Sequence, residues 1–77
     1  MTETVITLDV REDVRHGHEP FTRIMQTAAG LKAHQSLLLI APFEPLPLYR
    51  MMARQGFLYK SRPRGAGDWE VLFSHAA

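Results

Sequence analysis

The sequence predicts an α+β fold: a two-layer α/β sandwich in the order β-α-β-α-β-β, with two helices on one face of a four-stranded mixed sheet. Three observations carry this. Apolar residues alternate, or run together, over four segments of strand length. Two intervening segments repeat them at helical spacing, and Pro- or Gly-rich stretches separate the elements. In the first strand, Val5 to Val10, Ile6, Leu8 and Val10 alternate with Val5, Thr7 and Asp9. The charged run Arg11 to Arg15, then His16-Gly17-His18, reads as a loop. From Glu19 the spacing turns helical, with Phe21, Ile24, Met25, Ala28 and Leu31 on one face; Pro20 is tolerated because first-turn amides lack helical partners. Ser36 to Ala41 is an uninterrupted apolar run, which predicts a strand covered on both faces. Pro42, Pro45 and Pro47 interrupt regular structure, and a second helix starts near Leu46 or Pro47 and runs to Gln55, with Leu48, Met51 and Met52 as its stripe and Gly56 as its terminator. Phe57 to Arg62 and Trp69 to Ser74 read as aromatic-rich strands joined by a turn over Pro63 to Asp68, and the ends, Met1 to Glu3 and His75 to Ala77, as frayed. A crossover helix makes the first two strands parallel and right-handed; the tight turn makes the last two antiparallel.

The chain has 77 residues, 45% of them hydrophobic, and no cysteine. That length predicts one domain, with its core over about residues 5–74. Without thiols there is no disulfide framework, no Cys-ligated metal centre and no cysteine nucleophile. A domain this small buries only about 60% of its unfolded surface, so it needs a tightly packed core or a second chain. Net charge is +1, unevenly spread. Residues 1–44 hold four bases and six acids, whereas residues 45–67 hold Arg50, Arg54, Lys60, Arg62 and Arg64 and no acid. No apolar run is long enough to cross a bilayer, and Met1-Thr2-Glu3-Thr4 lacks a signal peptide's basic and apolar regions, so the expected location is the cytoplasm, with no membrane partner.

The run Leu8-Asp9-Val10-Arg11, then Gly17-His18-Glu19-Pro20, an amphipathic helix, a strand, a proline-led second helix and Gly56-Phe57 resembles the TusA/SirA family of small sulfur carriers. In that family a Cys-Pro-x-Pro motif sits between the first strand and the first helix, whose N-terminus stabilises a thiolate or persulfide. Here the matching stretch keeps only Pro20, and Gly17 stands at the nucleophile's position. The resemblance is closer to an uncharacterised, cysteine-less branch of TusA-like bacterial domains, through Leu8-Asp9-Val10-Arg11, Glu19-Pro20, Glu44-Pro45-Leu46-Pro47-Leu48-Tyr49 and Trp69. It implies the same fold, no sulfur transfer, and a setting near bacterial nitrogen-oxide or redox metabolism.

His16 and His18 form an imidazole pair that suits a transition metal, zinc, copper or iron, with Glu19, Glu44, Asp9 or His34 as candidates for a third ligand. Their plainer reading is solvent-exposed loop histidines. Asp9 and Arg11 stand at a strand end, where ligands approach α/β sheets; equally, they suit an ion pair that pins the connection. Glu19 precedes a helix, where a carboxylate is favoured by the dipole. Glu44 and Tyr49 flank a proline-stiffened turn, which lines an anion- or metal-binding rim if it lies beside His16 and His18, and otherwise plugs the core. Arg50, Arg54, Lys60, Arg62 and Arg64, interleaved with aromatics, are candidates for nucleic-acid contact. Strand alternation opposes this, because Phe57 and Tyr59 point away from Lys60 and Arg62. Nucleophile, base and oxyanion donor never occur together at a recognisable spacing, so no enzymatic activity is expected. In the last strand Leu72 faces away from Trp69, Val71 and Phe73, and helices on one face only leave it exposed. The leading expectation is therefore a non-enzymatic module that binds a protein partner, or a second copy of itself, through the open sheet face.

Overall fold

The computed structural model describes residues 4–76; the predicted fraying of Met1 to Glu3 and of Ala77 falls outside them. The elements are β1 (Thr4–Asp9), α1 (Arg11–Arg15), α2 (Phe21–Ala29), β2 (Gln35–Ala41), α3 (Leu46–Arg54), β3 (Phe57–Gly65) and β4 (Asp68–His75). They form the predicted two-layer sandwich around one four-stranded sheet in the order β1-β2-β4-β3. β1 and β2 are parallel, β4 is antiparallel to both β2 and β3, and the edges are β1 and β3.

The pairing fixes which residues share a face. Ile6 lies beside Leu37 and Phe73, Leu8 beside Leu39 and Val71, and Tyr59 and Ser61 continue these rows onto β3. This face carries the core: Leu8, Leu37, Leu39, Val71, Phe73 and Phe57 pack with Ile24 and Ala28 of α2 and Leu48, Tyr49 and Met52 of α3. Leu37, Leu39, Leu48, Met52, Val71 and Phe73 are completely buried.

The structure corrects the sequence reading in four places. Arg11 to Arg15 is a helical turn, not a loop. It is closed by bonds from the Gly17 N–H to the Val14 carbonyl (3.0 Å) and from the His18 N–H to the Asp13 carbonyl (2.8 Å). Those two bonds, with Gly17 at φ 75°, are a Schellman terminator. Every residue of this turn but Val14 is charged, so it carries no apolar period to read. Second, β3 continues through Pro63 to Gly65, and the turn shrinks to Ala66-Gly67. Both turn residues have positive φ (55° and 84°), the I′ geometry that suits the twist of the strands. Pro63 is admitted because β3 is an edge strand with a bulge between Pro63 and Gly65. Third, helices cover only one face of β2: α2 and α3 share one side, while on the other Ser36 and Ile40 are buried but Leu38 between them is only half-buried. Finally, His75 is not frayed; it pairs with Phe57, 4.7 Å between ring centroids.

Candidate functional site

Two regions of this frame carry the side chains of interest, the sheet end where β1 and β2 finish and β4 starts, and the uncovered face. At the sheet end Arg11 joins two strands. Its Nε and one terminal nitrogen grip the Asp9 carboxylate at 3.0 and 2.7 Å, and the other terminal nitrogen reaches Asp68 Oδ2 at 2.8 Å. Asp9 also accepts the Arg11 backbone N–H at 3.0 Å, which turns the chain from β1 into α1. The Arg11 hydrogen bonds hold the Asp9 carboxyl below its usual range, with help from the charges of Arg11 and Arg64. Asp9, then Asp68, raise the Arg11 guanidinium further above its already high value. A second ion pair, Arg23 to Asp13 at 2.6 Å, ties α1 to α2.

Glu19 caps α2. Its carboxylate accepts the Phe21 backbone N–H, the Thr22 backbone N–H at 3.2 Å and the Thr22 hydroxyl at 2.8 Å. These bonds, the Thr22 side chain first, lower its pKa. His16 and His18 are exposed, their rings 6.2 Å apart and tilted by 62°. Among the described residues, no group of three or more His, Asp or Glu side chains is gathered to hold one metal ion. Glu44 is engaged with Tyr49, whose hydroxyl donates to Glu44 Oε2 at 3.2 Å. The Tyr49 ring stacks on Tyr59 of β3, 4.0 Å away and nearly parallel. Burial raises the Tyr49 hydroxyl pKa, and a hydrogen bond with Ser61 works against it. The Glu44–Tyr49 pair thus lies over β3, at the sheet edge opposite β1, from which the histidine turn departs.

The uncovered face is read off the same register. Across the four strands, one row runs Asp9, Ile40, Glu70, Arg62 and the next Thr7, Leu38, Leu72, Lys60. Val5 and Leu58 flank these rows on β1 and β3 and are 47% and 60% exposed. Arg62 Nε donates to Glu70 Oε1 at 2.7 Å, which leaves 77% of the arginine side chain in solvent. Lys60, Arg64, Arg50 and Arg54 are all exposed; Lys60 and Arg62 share the uncovered face, and Arg50 and Arg54 lie on α3.

Residues 7–75 match DUF2249, described as an uncharacterized conserved protein. The chain belongs to the DUF2249 family. No curated protein and no solved structure matches it. In this DUF2249 chain the structure gathers Asp9 and Arg11 into one ion-pair cluster and Glu44 with Tyr49 into another, and joins neither to His16 or His18 by a hydrogen bond or ion pair among the described residues. Sequence reasoning missed Asp68 and Glu70, the partners of Arg11 and Arg62, and Tyr59, the partner of Tyr49. A two-residue turn at Ala66-Gly67 was the signal for the first two. It sets the β3–β4 register that places Asp68 at the sheet end and Glu70 opposite Arg62.

Proposed function

We propose that this DUF2249 chain is a non-enzymatic protein-interaction module that engages its partner through the uncovered face of the sheet. The observation that carries the proposal is the apolar group Val5, Leu38, Leu72 and Leu58 on a face that neither α2 nor α3 covers. Exposed apolar groups in contact cost solvation, and such patches mark interaction surfaces. The polar candidates are engaged with one another: Arg11 with Asp9 and Asp68, Glu19 with the start of α2, and Glu44 with Tyr49. They act in this reading as the fastenings of a rigid platform. The resemblance to TusA-like bacterial domains supports an accessory role beside redox or metal metabolism in a bacterial cytoplasm, without sulfur transfer, since Gly17 stands where those carriers keep their thiol. No helix among the described residues is long and apolar enough to cross a membrane.

The test is affinity purification with native mass spectrometry, run on three forms. The wild type and Met51→Lys, altered on the helix layer, should retain the same partner protein, and the double variant Leu38→Thr, Leu72→Thr should lose it. Threonine keeps strand propensity while removing the apolar surface. A bare monomer in the wild type, or equal retention by all three forms, overturns the proposal.

A further inference from the structure

The uncovered face is a trough. Val5, Leu38, Leu72, Lys60, Arg62 and Glu70 line a hollow of about 420 Å³. A second hollow of about 590 Å³ shares Lys60 and Leu72, takes in Leu58 and Ser74, and wraps round the β3 edge to Phe57, Tyr59 and Ala53 on the helix side. Its floor is leucine, and its two flanks differ. The β1 flank carries Val5 and Thr7 and ends in Asp9, whose charge is held by Arg11. On β3 Lys60 and Arg62 face the trough, and Arg64 follows in the bulge at the end of the strand, within a segment that holds no acid from residue 45 to residue 67. Among the described residues Lys60 and Arg64 form no ion pair, and Arg62 offers Glu70 only one of its three nitrogens.

From this we propose that the trough receives an amphipathic helix of a partner protein, with its apolar stripe on Leu38 and Leu72 and a row of Asp or Glu side chains along the β3 flank. The inference rests on the interaction reading above and specifies the partner's chemistry. Dimensions favour one helix. The axes of the outer strands of a four-stranded sheet lie about 14 Å apart, and a helix with its side chains is about 10–12 Å across. Four strands of this length offer a footprint of roughly 300–400 Å². That flat area matches one helix of about five turns, roughly 27 Å long and 10–12 Å across. The docked helix would form a third layer, on the opposite side of the sheet from α2 and α3. Nucleic acid fits less well. The ring able to stack bases nearest the cations, Tyr59, lies on the other face against Tyr49, and a leucine floor offers nothing to phosphates.

The probes are two synthetic 18-residue helical peptides with the same leucine stripe, one flanked by Glu and one by Lys, titrated against the full chain by fluorescence anisotropy at low salt. The Glu peptide should bind about tenfold tighter or more, with the gap closing as salt rises. In the variant Lys60→Glu, Arg62→Glu, Arg64→Glu the preference should reverse, and in Leu38→Thr, Leu72→Thr both peptides should weaken by about tenfold or more. Circular dichroism confirms that each variant is folded. Equal binding of the two peptides that still requires Leu38 and Leu72 overturns the acidic flank and leaves the interaction reading standing. If neither peptide binds, the helix inference falls, and partner retention in the purification then decides the broader reading separately. A dimer of the chain alone that the leucine changes dissolve would assign the face to a second copy and overturn the inference. So would tight binding of a single-stranded oligonucleotide that depends on the three cations and ignores the leucines.

Discussion

The two faces of the sheet carry the same kind of alternation but stand in opposite relations to the rest of the chain. On β4, Val71 and Phe73 point toward α2 and α3 and are fully buried, while Leu72 between them points to solvent and is half-buried. On β2, Leu37 and Leu39 are fully buried and Leu38 is not. Burial drives folding only where a second layer completes it, so the covered face stabilises the molecule and the uncovered face contributes mainly surface. The ion pairs follow the same division. On the sheet they lie at its margins, where Arg11 bridges β1 to β4 and Arg62 reaches Glu70.

Substitutions that cross from the covered face to the uncovered one should lose effect in order. Phe73→Ala, in the centre of the core, should cost about 3–5 kcal/mol and leave the chain close to unfolded, as read by urea denaturation. At the edge of the covered layer, Tyr49→Phe keeps the stack on Tyr59 and removes the hydroxyl's bonds to Glu44 and Ser61. Its cost in the same assay should be about 1 kcal/mol. On the margin of the uncovered face, Asp9→Asn breaks the charge-assisted grip of Arg11. Asp9 is substantially exposed, so solvent screening limits the loss to about 1 kcal/mol or less. This contribution depends on pH with a defined sign. The folded carboxyl titrates below its unfolded value, so the stabilisation is complete above about pH 4 and is lost as pH falls through the lowered folded range. Melts of wild type and variant should therefore converge as the pH falls well below about 4; a gap that stays constant with falling pH would break the assignment. Leu58→Thr, on the uncovered face, should change stability by about 0.5 kcal/mol or less. A larger loss would show that this face is part of the core after all.

Much of the fold was legible because periodicity reports burial. Ile24, Ala28, Leu48 and Met52 lie at helical spacing and are buried where that spacing places them, and the prolines around Leu46 locate the start of α3. Periodicity was silent for α1, a single charged turn stabilised by its terminator and by Arg23–Asp13. It was half right for β2, whose second face buries Ser36 and Ile40 but leaves Leu38 half-buried, because an unbroken apolar run does not tell which of its residues lack a covering layer. The candidate residues were legible as types: Asp9, Arg11, Glu44 and Tyr49 each occupy a polar arrangement at a strand or helix end. Their partners were not, because Asp68 lies 57 residues from Arg11, and only the β1–β2 and β2–β4 pairings bring the two together.

Gly17 closes α1 with a left-handed backbone, and a β-carbon added there would meet no neighbouring atom within 4 Å. Space for a side chain is therefore present, but the conformation disfavours one. Any side chain introduced there, even the methyl of Gly17→Ala, would strain the turn that positions His18 and Glu19 before α2 by about 1–2 kcal/mol.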